Sequence, residues 1–394
     1  MLFTFRTRTA LLVSLSALGI AGGTALHVIP EVPAGLAGLA CVADSSRRVT
    51  WVHGPVTDRE ELDRWCAGVG PAVVQRYEAP VGQRPTSAHD LTVVSWNTNV
   101  GGGDLHGFIR ALRAGRFTDG DSVEHFVLLL QEVYRTGHDV PRGAAMRPRR
   151  IAPRPAHGRR AAVVEVARDH GLHLFYVPSM ANGWAHADGA REDRGNAIIS
   201  TLPLDDHLAI ELPFEGQRRV AASATVRSTT PDGRPLPLRV VSVHLDNRSI
   251  VSRFQRSFGS GRARQAEALT AALSRDSNAL PTVVAGDLNT WAPSSWERAV
   301  AVLRAHFPHG NATNGPTYAG RPMGVGRTLD HMLFRLPVAE AQERAPSGPS
   351  ASTPLPPPSA QTPVFERPVS RRLDDAHGSD HYPLMTRLTL ADAR

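Results

Sequence analysis

Residues 282–289 have the sequence TVVAGDLN, and the fold prediction for this chain rests on this stretch. A short apolar run bounded by turn-forming residues indicates a buried strand. Asp287 and Asn289 stand at its carboxyl end and, being two residues apart on a strand, share one face. By themselves these residues are also compatible with a turn or a helix cap. A carboxylate at the end of a buried strand is nevertheless costly unless it is paired or bound to a metal.

Polar residues also mark the ends of five further apolar runs. They are Asn97 in LTVVSWN, Glu132 in FVLLLQE, His244 in LRVVSVH, Asp330 in TLDHMLF, and Asp380 and His381 in SDHYPLMTRL. One such residue alone is most often a solvated strand end or a satisfied core group. Six strand ends of this composition together predict one shared polar cavity, most economically a metal and phosphate site.

Strand and helix patterns alternate from Leu91 onwards. Helices are predicted over residues 104–114, 159–170, 261–275 and 294–305, with Asp104 and Ser294 as N-caps. Four strand candidates follow one another between residues 195 and 245, with turn residues between them. Mixed helix and strand segments on either side of such a run predict two packed sheets with helices outside them, rather than one doubly wound sheet.

Seven motifs in this region resemble those of the endonuclease/exonuclease/phosphatase superfamily, to which deoxyribonuclease I belongs. In chain order they are SWNTN, LLLQEV, RGNAIIS, VVSVHL, VAGDLNT, TLDHML and GSDHYPL. Each motif is weak alone, but seven in the family's order and at family-like spacing are specific. The resemblance extends from Leu91 to Leu390 and implies the family's α/β fold, a four-layer α/β/β/α sandwich of two packed mixed β-sheets flanked by helices.

The resemblance also implies roles for individual residues. Three would place a divalent metal ion: Asn97, Glu132 and Asp380. Five would carry the catalysis: His244, Asp287, Asn289, Asp330 and His381. Asn196 would contact substrate, and Arg264, in the predicted helix after the His244 strand, is placed where it could reach a phosphate. Oxygen ligands of this kind suit Mg²⁺, with Mn²⁺ or Ca²⁺ as alternatives, and no organic cofactor is needed.

Each member of the catalytic set has its own expected task. Asp287 would orient or deprotonate the attacking water, and Asn289 would hold the phosphate or a metal-bound water. His244 and His381 would grip the scissile phosphate and share proton transfer. Asp330 would orient His381. This set is sufficient for hydrolysis of a phosphoester without a covalent enzyme intermediate.

Composition limits the class of partner. The chain has 394 residues, 41% of them apolar, a net charge of +7, and arginine but no lysine. Codon bias explains an all-arginine composition, although arginine also grips phosphate in a bidentate fashion. Residues 141–160 hold seven arginines and no acidic residue, which predicts a solvated arm or a phosphate-binding arm near Glu132. Residues 345–363, rich in proline and serine, predict a disordered or polyproline II insertion without chemistry.

The N-terminus predicts export. Arg6 and Arg8 precede an apolar stretch from Ala10 to about Leu26, which favours a cleaved signal peptide over a retained anchor. An exported protein with two cysteines most simply forms one disulfide, here between Cys41 and Cys66. The predicted organisation is a signal peptide or N-terminal anchor over residues 1–40, a leader and linker over 41–90, and the main domain over 91–392.

The sequence therefore predicts a secreted or cell-envelope, Mg²⁺-dependent phosphoesterase. The basic charge favours nucleic acid as the substrate of a nuclease or phosphodiesterase. The alternatives are a sphingomyelinase-like enzyme or an inositol-phosphate phosphatase, and a non-catalytic phosphate-binding protein on the same fold. The sequence shows no aromatic-rich hairpin suited to membrane insertion, which disfavours a lipid substrate. No stable protein partner is implied, and we expect a monomer.

Overall fold

The computed structural model describes residues 40–43, 48–53, 59–77, 90–141, 160–247, 259–275, 280–292, 297–310, 313–320, 325–338 and 363–391. The predicted signal segment and nearly all of residues 141–160 and 345–363 lie outside these ranges. Within them, no helix is long and apolar enough to cross a membrane.

Strands and helices alternate along the described chain. In chain order the strands are β1 (Thr50–His53), β2 (Val73–Gln75), β3 (Leu91–Asn97), β4 (Phe126–Gly137), β5 (His173–Ala185), β6 (Arg191–Ser200), β7 (Leu204–Glu211), β8 (Val220–Val226), β9 (Leu238–His244), β10 (Thr282–Asp287), β11 (Asp330–Arg335), β12 (Arg371–Arg372) and β13 (Leu384–Leu388). The helices are α1 (Ala40–Ala43), α2 (Arg59–Cys66), α3 (Leu105–Arg113), α4 (Val163–Asp169), α5 (Ser260–Ser274) and α6 (Arg298–His306).

These strands form two mixed sheets. The first sheet has the order β1-β7-β8-β9-β10-β11, and the second has the order β12-β13-β3-β4-β6-β5-β2. Three pairs are parallel, namely β1 with β7, β9 with β10 and β3 with β4. Two parallel neighbouring strands have their carboxyl ends at the same edge of a sheet. The carboxyl-terminal residues of each of these pairs therefore lie close together.

Side-chain alternation along the strands builds the layers. On β10, Val283 belongs to the core between the two sheets, whereas Val284 packs with α5 and α6 on the outer face of the first sheet. On β4, Val127 faces the same inner core, and Leu128 packs with α3 and α4 on the outer face of the second sheet. The fold is thus the predicted four-layer α/β/β/α sandwich.

Helix starts agree only in part with the sequence prediction. α3 begins as predicted, because the Asp104 carboxylate accepts a hydrogen bond from the backbone N of Gly107 at 2.8 Å. α4 begins at Val163 rather than at residue 159. α6 begins at Arg298, and its predicted cap Ser294 lies outside the described residues.

Two edge strands lie before Leu91, in the segment over residues 41–90 that the sequence predicts as a leader and linker. β1 pairs with β7 at the edge of the first sheet, and β2 pairs with β5 at the edge of the second. Trp51 and both cysteines are buried in the core between the sheets, and the predicted disulfide joins Cys41 to Cys66. The apolar residues of this segment are few and widely spaced, so no local pattern marks its short edge strands.

Candidate active site

The parallel pairing of β9 and β10 brings their carboxyl ends together. His244 is the register partner of Asp287 across this pair. Asp287 is also opposite Asp330 on the antiparallel strand β11. From the second sheet, Asn97 at the end of β3 reaches Asp287 through a side-chain hydrogen bond. The predicted strand-end residues therefore meet across the two sheets.

The Asp287 carboxylate is buried at the centre of this cluster. Its Oδ2 accepts a hydrogen bond from Asn97 Nδ2 at 3.0 Å, and its Oδ1 accepts one from the backbone N of Asn289 at 2.8 Å. The Nε2 atom of His381 lies 3.8 Å from Oδ2. Burial raises the pKa of Asp287 to about 7, against the opposing effect of the His381 charge. A carboxyl group with this pKa can hold or accept a proton at neutral pH.

His381 is oriented by a carboxylate and by the backbone. Its Nδ1 is 2.8 Å from Asp330 Oδ2, which is the pairing expected from the sequence. The indole N of Trp96 donates to the carbonyl oxygen of His381 at 3.0 Å. Burial alone would lower the pKa of His381, but the carboxylates of Asp330 and Asp287 raise it to about 10. The ring is therefore an imidazolium at neutral pH.

His244 is held in the opposite protonation state. Its Nε2 lies 3.0 Å from Asn289 Nδ2, which also donates to the carbonyl oxygen of Leu245 at 2.9 Å. Burial, and then the positive charges of Arg219 and His381, lower the pKa of His244 well below its ordinary value. The ring is neutral, and because the Asn289 amide donates to Nε2, the proton of this tautomer sits on Nδ1.

Unusual backbone conformations set the side-chain directions of Glu132 and Asn289. Glu132 has a φ of +52° and sits in a bulge, where the pairing of β4 with β6 slips between Leu130 and Val133. Asn289 has a φ of +51° directly after β10. Positive φ costs about 1–3 kcal/mol in residues other than glycine and concentrates at functional sites. Bulges re-aim side chains in the same way.

Glu132, Asp380 and Asn97, the predicted metal ligands, carry side-chain oxygen atoms of the kind that a divalent cation such as Mg²⁺ prefers. The Glu132 carboxylate is 3.9 Å from His244 Nδ1, and the Asp380 carboxylate is 4.0 Å from His381 Nε2. Burial raises the pKa of Asp380, and the charge of Glu132 raises it as well. A cation that both carboxylates bind would relieve this repulsion, and an all-oxygen donor set suits Mg²⁺.

A second set of possible metal ligands overlaps the catalytic residues. One ligand atom each from Asp287, Asp330 and His381 lies within 4.8 Å of the others. The carboxylates of Asp287 and Asp330 are oxygen ligands of the kind that a hard cation prefers. The positive charge of His381 would oppose a cation bound beside it.

Asn196 and Arg264 make their side-chain hydrogen bonds outside the cluster in the described part of the chain. Asn196 Nδ2 donates to the carbonyl oxygens of Val220 at 2.7 Å and Ser242 at 3.4 Å, and so joins β6 to the first sheet. The Arg264 Nε atom donates to Glu215 Oε1 at 2.7 Å. Their substrate-binding role stays a prediction.

Sequence reasoning missed three residues around the cluster. Tyr318 packs edge-on against His381, with ring centroids 5.2 Å apart, and Trp291 packs edge-on against Tyr318 at 5.6 Å. Arg219 is buried, and its charge acts on His244. Tyr318 has no apolar strand run around it. Trp291 follows Asn289 closely, which is the only local signal that could have drawn attention to it.

One family of known proteins matches this chain. The sequence model of the endonuclease/exonuclease/phosphatase family matches residues 94–381 of this chain. The chain belongs to this family. No curated protein matches the chain.

The family is also represented among similar solved structures. An endonuclease/exonuclease/phosphatase from Beutenbergia cavernae is 22% identical over 77% of this chain and 72% of its own, with a TM-score of 0.46. The human Nocturnin catalytic domain with bound sulfate is 16% identical over 78% of this chain and 97% of its own, with a TM-score of 0.41. A mannosyl-6-phosphatase from Bacteroides thetaiotaomicron is 13% identical over 76% of this chain and 99% of its own, also with a TM-score of 0.41. The family match and the two sheets show that the chain has the endonuclease/exonuclease/phosphatase fold, which is a fold of phosphoesterases. Its cluster of Asp287, Asp330 and His381 could bind a metal ion.

Proposed function

We propose that this protein is an exported phosphodiesterase that depends on a divalent metal, preferably Mg²⁺, and cleaves nucleic acid by direct attack of water. The observation that carries the proposal is the Asp287 carboxyl group, buried with a pKa of about 7 between a cationic His381 and a neutral His244. Groups with pKa values pushed apart in this way divide acid and base roles between them.

Each residue then has a defined part in the reaction. Asp287 orients the attacking water and accepts its proton. The His381 imidazolium, fixed by Asp330, donates a proton to the leaving oxygen as its bond to phosphorus breaks and negative charge develops there. If the Asn289 amide turned towards the substrate, it would donate to a phosphate oxygen instead of to His244 Nε2. The Nε2 lone pair would then be free to accept a proton. A cation held by Glu132 and Asp380 would neutralise charge on the non-bridging oxygens.

Two properties of the chain support the choice of substrate and location. The net charge of +7 and the arginine-only basic residues favour a polyanion. The charged residues and apolar run at the N-terminus favour export, since they have the composition of a signal peptide. A phosphodiester in nucleic acid outside the cytoplasm is the substrate that satisfies both.

A substrate panel tests this proposal. Purified protein is incubated with plasmid DNA, RNA, sphingomyelin and inositol phosphates, in Mg²⁺ and in EDTA. We expect cleavage of nucleic acid in Mg²⁺ only. Equal cleavage in EDTA would disprove the metal dependence. Cleavage of sphingomyelin or inositol phosphates without cleavage of nucleic acid would overturn the substrate class, and no cleavage at all would favour a binding protein.

A further inference from the structure

His377 lies in the loop that joins β12 to β13 and carries Asp380 and His381. The side chains of Asp374 and Asp375, earlier in this loop, are 94% and 74% exposed. The side chain of His377, by contrast, is only 16% exposed. This contrast indicates that His377 fastens the loop to the rest of the protein.

Three aromatic side chains surround the His377 ring. The ring packs edge-on against Phe108 and Phe117, with centroids 5.2 and 5.5 Å apart, and against Trp96 at 6.2 Å. Trp96 lies on β3, Phe108 on α3, and Phe117 shortly after α3. The Nε2 atom of His377 has no hydrogen-bond partner among the described residues, and burial lowers the pKa of the ring. The neutral ring therefore acts by packing.

The backbone of His377 makes a turn that few residue types tolerate. Its φ is +49°, and that of the next residue, Gly378, is +88°. Histidine, asparagine and aspartate adopt a positive φ more often than other residues that carry a Cβ atom. The carbonyl oxygen of His377 accepts a hydrogen bond at 2.8 Å from the backbone N of Asp104, the N-cap of α3. Histidine thus combines a backbone compatible with the turn and a ring that anchors it.

The anchored turn leads directly to His381. Between them, the Ser379 hydroxyl donates to the carbonyl oxygen of Asn97 at 2.6 Å and accepts from the backbone N of His381 at 3.1 Å. Trp96, which contacts the His377 ring, also donates its indole N–H to the carbonyl oxygen of His381. A shift of the turn would therefore displace the His381 ring from the carboxylate that orients it.

We propose that His377 is a positioning residue, whose ring anchors the turn so that the turn holds the His381 imidazole against Asp330. The inference rests on the proposed function in treating His381 as the proton donor, but the position of its ring can be measured without catalysis. His377 acts through the backbone rather than through contact with substrate. Its loss should therefore lower the rate of the chemical step and leave substrate binding nearly unchanged.

Proton NMR in EDTA, without substrate, measures the position of the His381 ring. The Nδ1 proton that His381 shares with Asp330 should give a signal far downfield, and Asp330→Asn assigns this signal by removing it. His377→Asn keeps a residue that tolerates a positive φ but removes the ring. In this variant we expect the signal to be lost or moved upfield. With nucleic acid and Mg²⁺, kcat should fall about 10- to 100-fold while KM changes by less than about twofold.

His377→Phe is the conservative variant that tests the ring. Phenylalanine keeps an aromatic ring among the three surrounding aromatic side chains, although it adopts a positive φ less readily than histidine does. We expect this variant to keep the downfield signal and most of the wild-type kcat, at a lower melting temperature. If His377→Phe loses the signal as completely as His377→Asn, or if His377→Asn keeps the wild-type signal and kcat, the ring does not position the loop and the inference is overturned.

His207→Asn is the matched control. His207 is also a buried histidine that packs edge-on against an aromatic ring, that of Phe175 at 5.1 Å. It lies near the start of β7, and the strand register places that region towards the start of β9, at the opposite end from His244. This variant should lose stability but keep the downfield signal and kcat. If it loses both as His377→Asn does, the effect is one of general destabilisation and the positioning role is disproved.

The two measurements separate this inference from the proposed function. A downfield signal that depends on His377, in a protein that cleaves no phosphoester, would disprove only the proposed function. Cleavage of nucleic acid at the wild-type rate by His377→Asn would disprove only the positioning role. A wild type without the signal would contradict the pairing of His381 with Asp330, on which the inference depends, and would overturn it as well.

Discussion

At the scale of single residues, the site is defined by what surrounds Asp287. His381 and His244 both lie near this carboxylate, at 3.8 and 3.3 Å from its Oδ2. His381 pairs with Asp330 and keeps both of its ring protons. His244 accepts a hydrogen bond from the Asn289 amide at Nε2, lies near the positive charge of Arg219, and stays neutral. Two identical side chains thus acquire different chemistry from their neighbours.

Asp330→Asn tests the orientation and charge of His381. The substitution removes the carboxylate that raises the pKa of His381 most. We expect that pKa to fall, the alkaline limb of the activity profile to move to lower pH, and kcat to drop by about 10²- to 10⁴-fold. Rate profiles and NMR titration of the imidazole measure these changes. Asp374→Asn, at an exposed carboxylate that pairs with Arg372, is the control and should change none of them.

Asp287→Asn should separate stability from activity. In the unfolded chain Asp287 ionises near pH 4, whereas in the folded chain burial holds its proton until about pH 7. The unfavourable contribution therefore grows as the pH rises from about 4 to about 7 and is complete above that. In EDTA at pH 8, Asp287→Asn should raise the free energy of unfolding by about 1–3 kcal/mol. In Mg²⁺, the same substitution should abolish activity.

Denaturant titrations at pH 4 and pH 8 provide the measurement. The gain in stability should be present at pH 8 and nearly absent at pH 4, where the folded carboxyl group is protonated and the unfolded one is about half protonated. A gain of equal size at both values would mean that the raised pKa of Asp287 has no part in it.

At the scale of elements, the close contact of β9 with β10 positions the catalytic pair. Gly286 has a φ of +154°, and a Cβ atom there would lie 1.8 Å from the carbonyl oxygen of Val243. Glycine therefore permits the approach that places Asp287 opposite His244. On the second sheet, the bulge in β4 performs a comparable task for Glu132.

Gly286→Ala should open this strand pair. The added methyl group must displace backbone, so we expect a loss of about 2–4 kcal/mol in the free energy of unfolding and a severe loss of activity. Gly233→Ala is the control, because Gly233 also has a positive φ, +86°, but no described atom within 4 Å of the position that an added methyl group would take. Its backbone strain should cost about 1 kcal/mol, with activity retained. Comparable losses in both variants would contradict the steric explanation.

At the scale of the whole molecule, the N-terminal segment joins the two sheets at their edges. β1 and β2 extend different sheets, and the Cys41–Cys66 disulfide ties α1, which precedes β1, to α2, which precedes β2. Arg135 adds a buried connection, because it pairs with Asp193 and donates to the carbonyl oxygen of Pro71 at 3.0 Å. The segment thus stabilises the sandwich at a distance from the strand-end cluster.

Removing the disulfide should lower stability without removing the site. For the double variant Cys41→Ser and Cys66→Ser, we expect a loss of about 2–4 kcal/mol in the free energy of unfolding, measured by denaturant titration. Activity at 25 °C should remain near the wild-type value, since neither cysteine contacts the cluster. An inactive but folded variant would show that the N-terminal segment also shapes the site.

The sequence by itself determined the two sheets and the main members of the cluster. Continuous apolar runs are local features, and a polar residue at the end of each run is visible without knowledge of its neighbours. Asp287 beside Asn289, and Asp330 with His381, could therefore be recognised from strand ends and motifs alone. The short strands β1 and β2 could not, because their few apolar residues are buried only by contact with distant strands.

Only the tertiary structure decided the charge states and the pairing. Asn97 and Asp287 are 190 residues apart in sequence, and His381 and Asp330 are 51 apart, yet each pair shares a hydrogen bond. A pKa depends on burial and on charges brought near by folding, so the difference between His244 and His381 has no local signal. The same reason separates Arg218 from Arg219, which are adjacent in sequence, since only Arg218 pairs directly with a carboxylate among the described residues.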